Sequence, residues 1–287
     1  MHALAADLQR RLAGRVVKRL QVVSFAALKT VEPSVSALEG QLVHGVSRRG
    51  KHLVLSIGEL FLVLHLARAG WVGWRAAAPT LAPCKGSGPI AARLVLEPLP
   101  DGSDANAGFD ATEQGTKKSL AVRVVREPSH VPGIARLGPE PLDPRFTPEL
   151  LGLILGTAGR AQLKGVLRDQ ARIAGIGNAY ADEILHAARM SPFKPAALSS
   201  DEVAVLHGAI RGTLLSAIEA SEGLAASELK AEKRHRMRVH GRAGELCPVC
   251  GDTVRQVRYA DSSTEYCPSC QTGGTLLADR VLSRLLK

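Results

Sequence analysis

Four of the five cysteines stand in two Cys-x-x-Cys units, Cys247-Pro-Val-Cys250 and Cys267-Pro-Ser-Cys270, while Cys84 stands alone. Two such knuckles can surround one tetrahedral ion, and zinc suits sulfur ligation with no redox demand. Sulfur fills every position, so no site stays open for water and the predicted role is structural. The ion (one Zn2+) supplies folding energy to a module too small to hold a core of its own. The competing reading is a pair of redox dithiols, which normally sit between a strand and a helix of a larger α/β fold; that setting is missing here. Gly251 fits a tight turn after the first pair, and Val254 to Tyr259 and Ser263 to Tyr266 read as two arms of a hairpin. Arg242, Arg255, Arg258 and, further out, Arg280 give this module basic surroundings that suit a polyanion.

A second chemistry-bearing segment runs from Lys164 through Gln170, Gly175-Ile-Gly177 and Asn178 to Leu185. Two glycines between helical stretches, with an asparagine at the mouth of the second, can bring backbone N–H groups to a phosphate, aided by the positive end of the helix. The same residues also suit a tight helix–helix turn with nothing bound. A dinucleotide fold is disfavoured because no Val-rich strand leads into the glycines.

These pieces need elements to position them. Leu4, Leu8 and Leu12 predict an amphipathic helix over residues 3–12, stopped near Gly14. Arg15 to Phe25, Leu42 to Val46, His52 to Ile57, Leu60 to Leu66, Ala91 to Leu96 and Leu120 to Val125 are short, Val/Leu-rich and separated by turns. No crossover helix lies between them, so an antiparallel sandwich or barrel is expected. Beyond Pro132-Gly133 the period changes. Thr147-Pro148-Glu149 opens a helix, Gln162 to Asp169 and Asn178 to Met190 form two more, and Ser199 to Glu202 has the spacing of a capping box before a long helix. A basic stretch, Lys230 to Arg242, leads to the cysteines. The expected segments are a β domain (1–127), a helical domain (128–235) and a metal module (236–287).

With 45% apolar and 22% charged residues, the 287-residue chain reads as an ordinary globular protein, neither disordered nor fibrous. The formal charge of +10 fits a polyanionic partner, although many globular proteins are as basic. The strongest apolar run, Leu60 to Leu66, is far too short to span a membrane, and Met1-His2-Ala3-Leu4 lacks the layout of a secretory signal. A cytoplasmic, nucleoid-associated monomer without membrane contact is the expectation.

Taken together, the run from Lys164 to Leu185 followed by Ala188-Arg-Met-Ser-Pro192, and Val239-His-Gly-Arg-Ala-Gly-Glu-Leu-Cys247 leading into the cysteines, resemble the formamidopyrimidine-DNA glycosylase/endonuclease VIII family. The Arg48-Arg-Gly-Lys-His-Leu53 segment is similar to the strand entry of that family's N-terminal sandwich. The resemblance implies a β-sandwich, a helix–two-turn–helix domain and a zinc ribbon. It implies a base-excision-repair DNA glycosylase/AP lyase acting on double-stranded DNA with an oxidised base or an abasic site. Such enzymes flip the damaged nucleotide, attack C1′ with the amine of an N-terminal proline and cleave through a Schiff base, with the adjacent glutamate moving protons. It further implies that Lys51 and Asn178 contact phosphates, with Lys164 nearby; Arg242 is a candidate DNA contact by its place in the basic surroundings of the cysteines.

The sequence departs from this pattern in three places. No Pro-Glu pair opens it, so no catalytic residue is assigned. The expectation is that the pair precedes Met1 in a reading frame started late; a chain that truly opens at Met1 would be a non-catalytic damaged-DNA-binding protein. Arg68 stands where the family often has a void-filling methionine, and Phe109 to Lys118 shows no Arg-Phe wedge. Ser262 stands where an arginine usually reaches the lesion, and serine offers no bidentate cation. Arg68, Lys117 or Lys118 would then take wedge or phosphate roles, unless those lysines are merely a solvated loop. A ribosomal or RNA-associated zinc-ribbon protein is a third reading, disfavoured by the large β domain.

Overall fold

A computed structural model describes residues 1–78, 88–114, 118–260 and 262–278. Lys117, named above as a wedge or phosphate candidate, lies outside the described residues, as do Cys84, Asp261 and Arg280. Contacts divide the chain into two compact units, 1–136 with 222–230, and 137–221 with 231–287.

The first unit opens with α1 (His2–Leu12), whose Leu4, Leu8 and Leu12 are buried as their four-residue spacing requires. Among the described residues eight strands follow: β1 (Val17–Val22), β2 (Val43–Arg49), β3 (His52–Ile57), β4 (Leu60–His65), β5 (Gly70–Arg75), β6 (Ile90–Leu96), β7 (Gly108–Glu113) and β8 (Ala121–Val125). They pair antiparallel in two four-stranded sheets, ordered β1-β6-β7-β5 and β2-β3-β4-β8. Alternate residues of both sheets, including Leu53, Leu55, Leu62, Leu94 and Phe109, share one apolar core with α1. The opposite face of β3-β4-β8 is covered too: Val54, Val63 and Val125 pack with Val131 and Ile134 around the short helix α2 (Pro132–Ala135). Burial on both faces explains why β3 and β4 are rich in Val and Leu without strict alternation.

Two strands were not expected from the sequence. β7 occupies the start of the Phe109 to Lys118 segment, for which no strand is expected, and β5 fills residues with no clear alternation. Polar residues hide β7: Asp110 is fully buried, receiving bonds from Arg93 Nε (2.6 Å), Arg93 Nη2 (2.8 Å) and Arg75 Nε (2.9 Å). Glu113 is buried as well and accepts the backbone N–H groups of Ser119 and Leu120. Gly108 is dictated by close approach, since a Cβ there would sit 1.9 Å from the Leu94 carbonyl oxygen on β6.

The second unit holds α3 (Pro148–Ala158), α4 (Leu163–Arg168), α5 (Asn178–Ala187) and α6 (Ser200–Glu219). Thr147 caps α3 by accepting the N–H of Leu150, and Ser199 and Glu202 form the capping box of α6. Leu151, Leu167, Ile173, Ile184 and Leu206 form their core. The basic stretch that follows begins as α7 (Leu229–Arg236), of which residues 231–236 belong to this unit. The hairpin β9 (Arg255–Arg258) with β10 (Ser263–Tyr266) and the short α8 (Pro268–Thr272) complete the fold. Among the described residues no helix is long and apolar enough to cross a membrane.

Candidate metal centre and nucleic-acid interface

The cysteine module is organised by its backbone. The N–H of Gly251 donates to the Cys247 carbonyl (2.9 Å) with Gly251 at φ +76°, a left-handed conformation that favours glycine. Asp252 ties the two knuckles together, its carboxylate accepting from the backbone N–H and the hydroxyl of Ser269. Sγ of Cys250 lies 3.3 Å from Sγ of Cys267, and Sγ of Cys247 lies 3.9 Å from that of Cys270. A tetrahedral zinc with bonds of about 2.3 Å requires edges of about 3.8 Å, so the four sulfurs already outline that polyhedron. They are too far apart for disulfides, and all four cysteines are free. Without an ion, burial pushes the Cys270 thiol up to about 11 and that of Cys267 higher still. A dication offsets that cost. Among the described residues the module's own core is Val239, Val254, Cys247 and Cys267, with Cys270 packed against them. This is a structural zinc-binding site for one ion.

Next to it lies a buried charge network that sequence reasoning missed. Asp182, on α5, is fully buried and pairs with Lys164 Nζ at 2.6 Å and His240 Nδ1 at 2.8 Å. Glu265, on β10, approaches the same His240 nitrogen at 2.8 Å and accepts from Gln256 Nε2 at 2.6 Å. Burial alone would lower the His240 pKa, but bonds to Asp182 and Glu265 reverse this and raise it to about 9. Burial opposes ionisation of Glu265, yet His240 and the neighbouring donors hold its carboxyl well below the usual range. Burial pushes the Asp182 carboxyl up and the Lys164 ammonium down, and their 2.6 Å contact opposes both shifts, so two cationic and two acidic groups balance one another. Although Asp182, His240 and Glu265 cluster closely enough to suggest a metal site, the Lys164 ammonium already supplies the balancing charge. Glu183 works beside them, its carboxylate accepting three consecutive backbone N–H groups, from Arg238, Val239 and His240.

The same network holds Lys164. Its side chain is 7% exposed, and Nζ also donates to the Ser263 carbonyl and the Thr264 hydroxyl, each at 2.8 Å. Its three protons meet acceptors inside the protein, so it pins the hairpin to the helices. Asn178 shares the task, its Nδ2 donating to the same Ser263 carbonyl at 3.0 Å, while its Oδ1 is buried without a hydrogen-bond partner among the described residues. Gln170 shapes the turn before α5: it accepts the N–H of Gly175 and donates to the Ile176 and Arg168 carbonyls. The acidic pair Asp182-Glu183 beside the apolar Ala181 and Ile184-Leu185 of α5 was the available signal.

In the first unit, Gly50 and Lys51 make the two-residue turn between β2 and β3, and Lys51 is half-buried. Burial lowers the pKa of His65, on β4, and the charges of Lys51 and Arg123 lower it further. Its cross-strand partner His52 is lowered to about 4, by burial first and then by His65. Both imidazoles are thus neutral near pH 7, and Lys51 and Arg123 carry the positive charge of this patch. Arg68 is exposed in the turn before β5. Arg242 is half-buried, with Nε on Glu245 at 2.7 Å and Nη1 on the Met237 carbonyl at 3.1 Å, so much of its fork braces the ribbon.

Residues 1–104 match the formamidopyrimidine-DNA glycosylase N-terminal domain, residues 137–228 the formamidopyrimidine-DNA glycosylase H2TH domain, and residues 244–273 the zinc finger found in FPG and IleRS. The formamidopyrimidine-DNA glycosylase of Symbiobacterium thermophilum is 36% identical over 272 residues, covering 91% of this chain and 84% of its own. An uncharacterized formamidopyrimidine-DNA glycosylase-like protein of Mycobacterium tuberculosis is 55% identical over 152 residues, 53% of this chain and 94% of that protein. The crystal structure of the MutM (FPG) protein of Thermus thermophilus superposes with a TM-score of 0.75 at 30% identity, covering 96% of this chain and 99% of that one. A Lactococcus lactis formamidopyrimidine-DNA glycosylase bound non-covalently to DNA with an abasic site shares the fold, with a TM-score of 0.78 at 23% identity over 94% and 97% of the two chains.

Proposed function

Because this chain belongs to the formamidopyrimidine-DNA glycosylase family, we propose that it is a DNA glycosylase/AP lyase of base-excision repair that binds duplex DNA at oxidised bases and abasic sites. The observation that carries this reading is relatedness along nearly the whole chain together with a thiolate-clamped hairpin pinned to the helix–turn at Ser263. In this reading segments 1–127, 128–235 and 236–287 act as sandwich, helical DNA-binding domain and ribbon of a cytoplasmic, nucleoid-associated monomer. Lys51 and Asn178 hold phosphates of the damaged strand. Asn178 reaches one by exchanging its bond to the Ser263 carbonyl for a phosphate oxygen. Arg68 and Lys117 serve as wedge or phosphate contacts, and Arg242 faces the DNA with the part of its fork that Glu245 leaves over.

The chemistry proposed is amine attack at C1′, departure of the protonated base, imine formation and β-elimination. The Pro-Glu pair that performs it in the resembling family is not within residues 1–287, where His2 opens α1 directly. The alternative reading is a damaged-DNA-binding protein on the same scaffold without catalysis. Borohydride trapping on a duplex with one abasic site separates the two. A chain carrying the residues encoded immediately upstream should form a covalent adduct, while residues 1–287 should give only a salt-sensitive complex. No adduct from either protein would leave binding without catalysis.

A further inference from the structure

The zinc module touches α5 along its length, and one contact reaches the metal ligands. His186, next to the last residue of α5, is 3% exposed, and its Nε2 lies 3.3 Å from Sγ of Cys247, itself 3% exposed. The other ring nitrogen, Nδ1, is buried and has no hydrogen-bond partner among the described residues. Chemistry fixes the direction of this bond. A thiolate bound to a dication has no proton to give, so the nitrogen facing it must be the donor. A proton placed on Nδ1 instead would set two lone pairs against each other and orphan a buried N–H.

We infer that His186 is a positioning residue of the zinc site, donating Nε2–H to the Cys247 thiolate. Four thiolates around one dication leave a formal excess of negative charge, and Cys247 is too buried to share it with water. A directed N–H draws off part of that charge, stabilises the deprotonated ligand and fixes the knuckle against the end of α5. Groups that hydrogen-bond to metal ligands are typically worth roughly 10–100-fold in metal affinity. The hairpin is thereby fastened at both ends of one helix: Asn178 Nδ2 on the Ser263 carbonyl at its start, His186 on Cys247 at its close. Gln271 adds a third tie, its Nε2 donating to the Met190 carbonyl at 2.9 Å. The inference concerns the metal alone and stands independently of any DNA the chain binds.

The test uses the full zinc-loaded chain and two variants. His186→Phe keeps the ring volume and removes the donor; His186→Gln keeps an amide N–H near the position of Nε2. Zinc release to a colorimetric chelator should be at least roughly tenfold faster in His186→Phe and close to the parent rate in His186→Gln. With cobalt replacing zinc, the thiolate-to-metal charge-transfer band should move to lower energy in His186→Phe and stay in place in His186→Gln. Parent-like release and an unmoved band in His186→Phe would overturn the inference. So would equal acceleration in both variants with neither band moved, because His186 would then be only a space-filler. The parent protein gives an answer that needs no variant. Loaded with NMR-active cadmium, its His186 Nε2–H proton should couple to the metal through Sγ, and a ring protonated only at Nδ1 would overturn the assignment.

Discussion

Replacing Asp182 with asparagine is the sharpest perturbation of the second unit. The shape is nearly kept, but one of four balanced buried charges disappears. Asp182 is fully buried, with Lys164 Nζ at 2.6 Å and His240 Nδ1 at 2.8 Å. Breaking a buried ion pair by removing one partner costs roughly 3–5 kcal/mol, because the survivor is left uncompensated. Here the survivor has an outlet: His240 can release its proton and restore neutrality with Lys164 and Glu265. The loss should therefore depend on pH. In the parent, the His240 pKa is raised from 6.5 to about 9. Its contribution is fully present below pH 6.5 and fades as pH rises through about 9. A shift of that size corresponds to about 3 kcal/mol as an upper bound, reduced by the group's partial exposure. Asp182→Asn should thus lose about 3 kcal/mol near pH 6 and much less above pH 9. Urea unfolding followed by far-UV circular dichroism and zinc release measures this directly. Trp71 and Trp74, both in the first unit, provide a separate fluorescence signal. An equal loss at both pH values would mean that His240 does not relieve the imbalance, and a loss below about 1 kcal/mol near pH 6 would mean that the four charges are solvated.

Other perturbations address the remaining parts. Cys250→Ala should release zinc and loosen the ribbon, since three thiolates leave the site open; metal content of the purified variant checks this, and full occupancy would contradict it. Lys51→Ala should weaken DNA binding with little effect on folding and lower the log–log salt slope by about 0.9 if the side chain holds one phosphate; an unchanged slope would remove it from the interface. Gly108→Ala should destabilise the first unit by about 3 kcal/mol or more, because a Cβ would meet the Leu94 carbonyl oxygen at 1.9 Å; a parent-like thermal midpoint would show that β6 and β7 can separate without cost.

What could be read from the sequence follows from what a linear pattern encodes. Helix starts were legible at Thr147 and Ser199 because capping acts over three residues. The metal site was legible because ligand spacing is itself the signal. β3 and β4 were legible because burial on both faces makes them rich in Val and Leu, while β7 was hidden because Asp110 is paired with Arg93 on another strand and Glu113 is taken up by the backbone N–H groups of Ser119 and Leu120. Lys164 shows the limit most clearly. A lysine near a phosphate-type turn suggests an outward-facing cation, and nothing local reveals that Asp182 and the Ser263 carbonyl take its protons. His186 carries no local signal at all, because its partner Cys247 lies in a different module.

The most direct test of the account compares two duplexes of one sequence, one intact and one with a single abasic site. Each is titrated with the zinc-loaded chain at fixed salt and followed by fluorescence anisotropy. The account predicts tighter binding to the abasic duplex and loss of that preference once the zinc is chelated. Equal affinity for both duplexes, or a preference that survives removal of the metal, would contradict it.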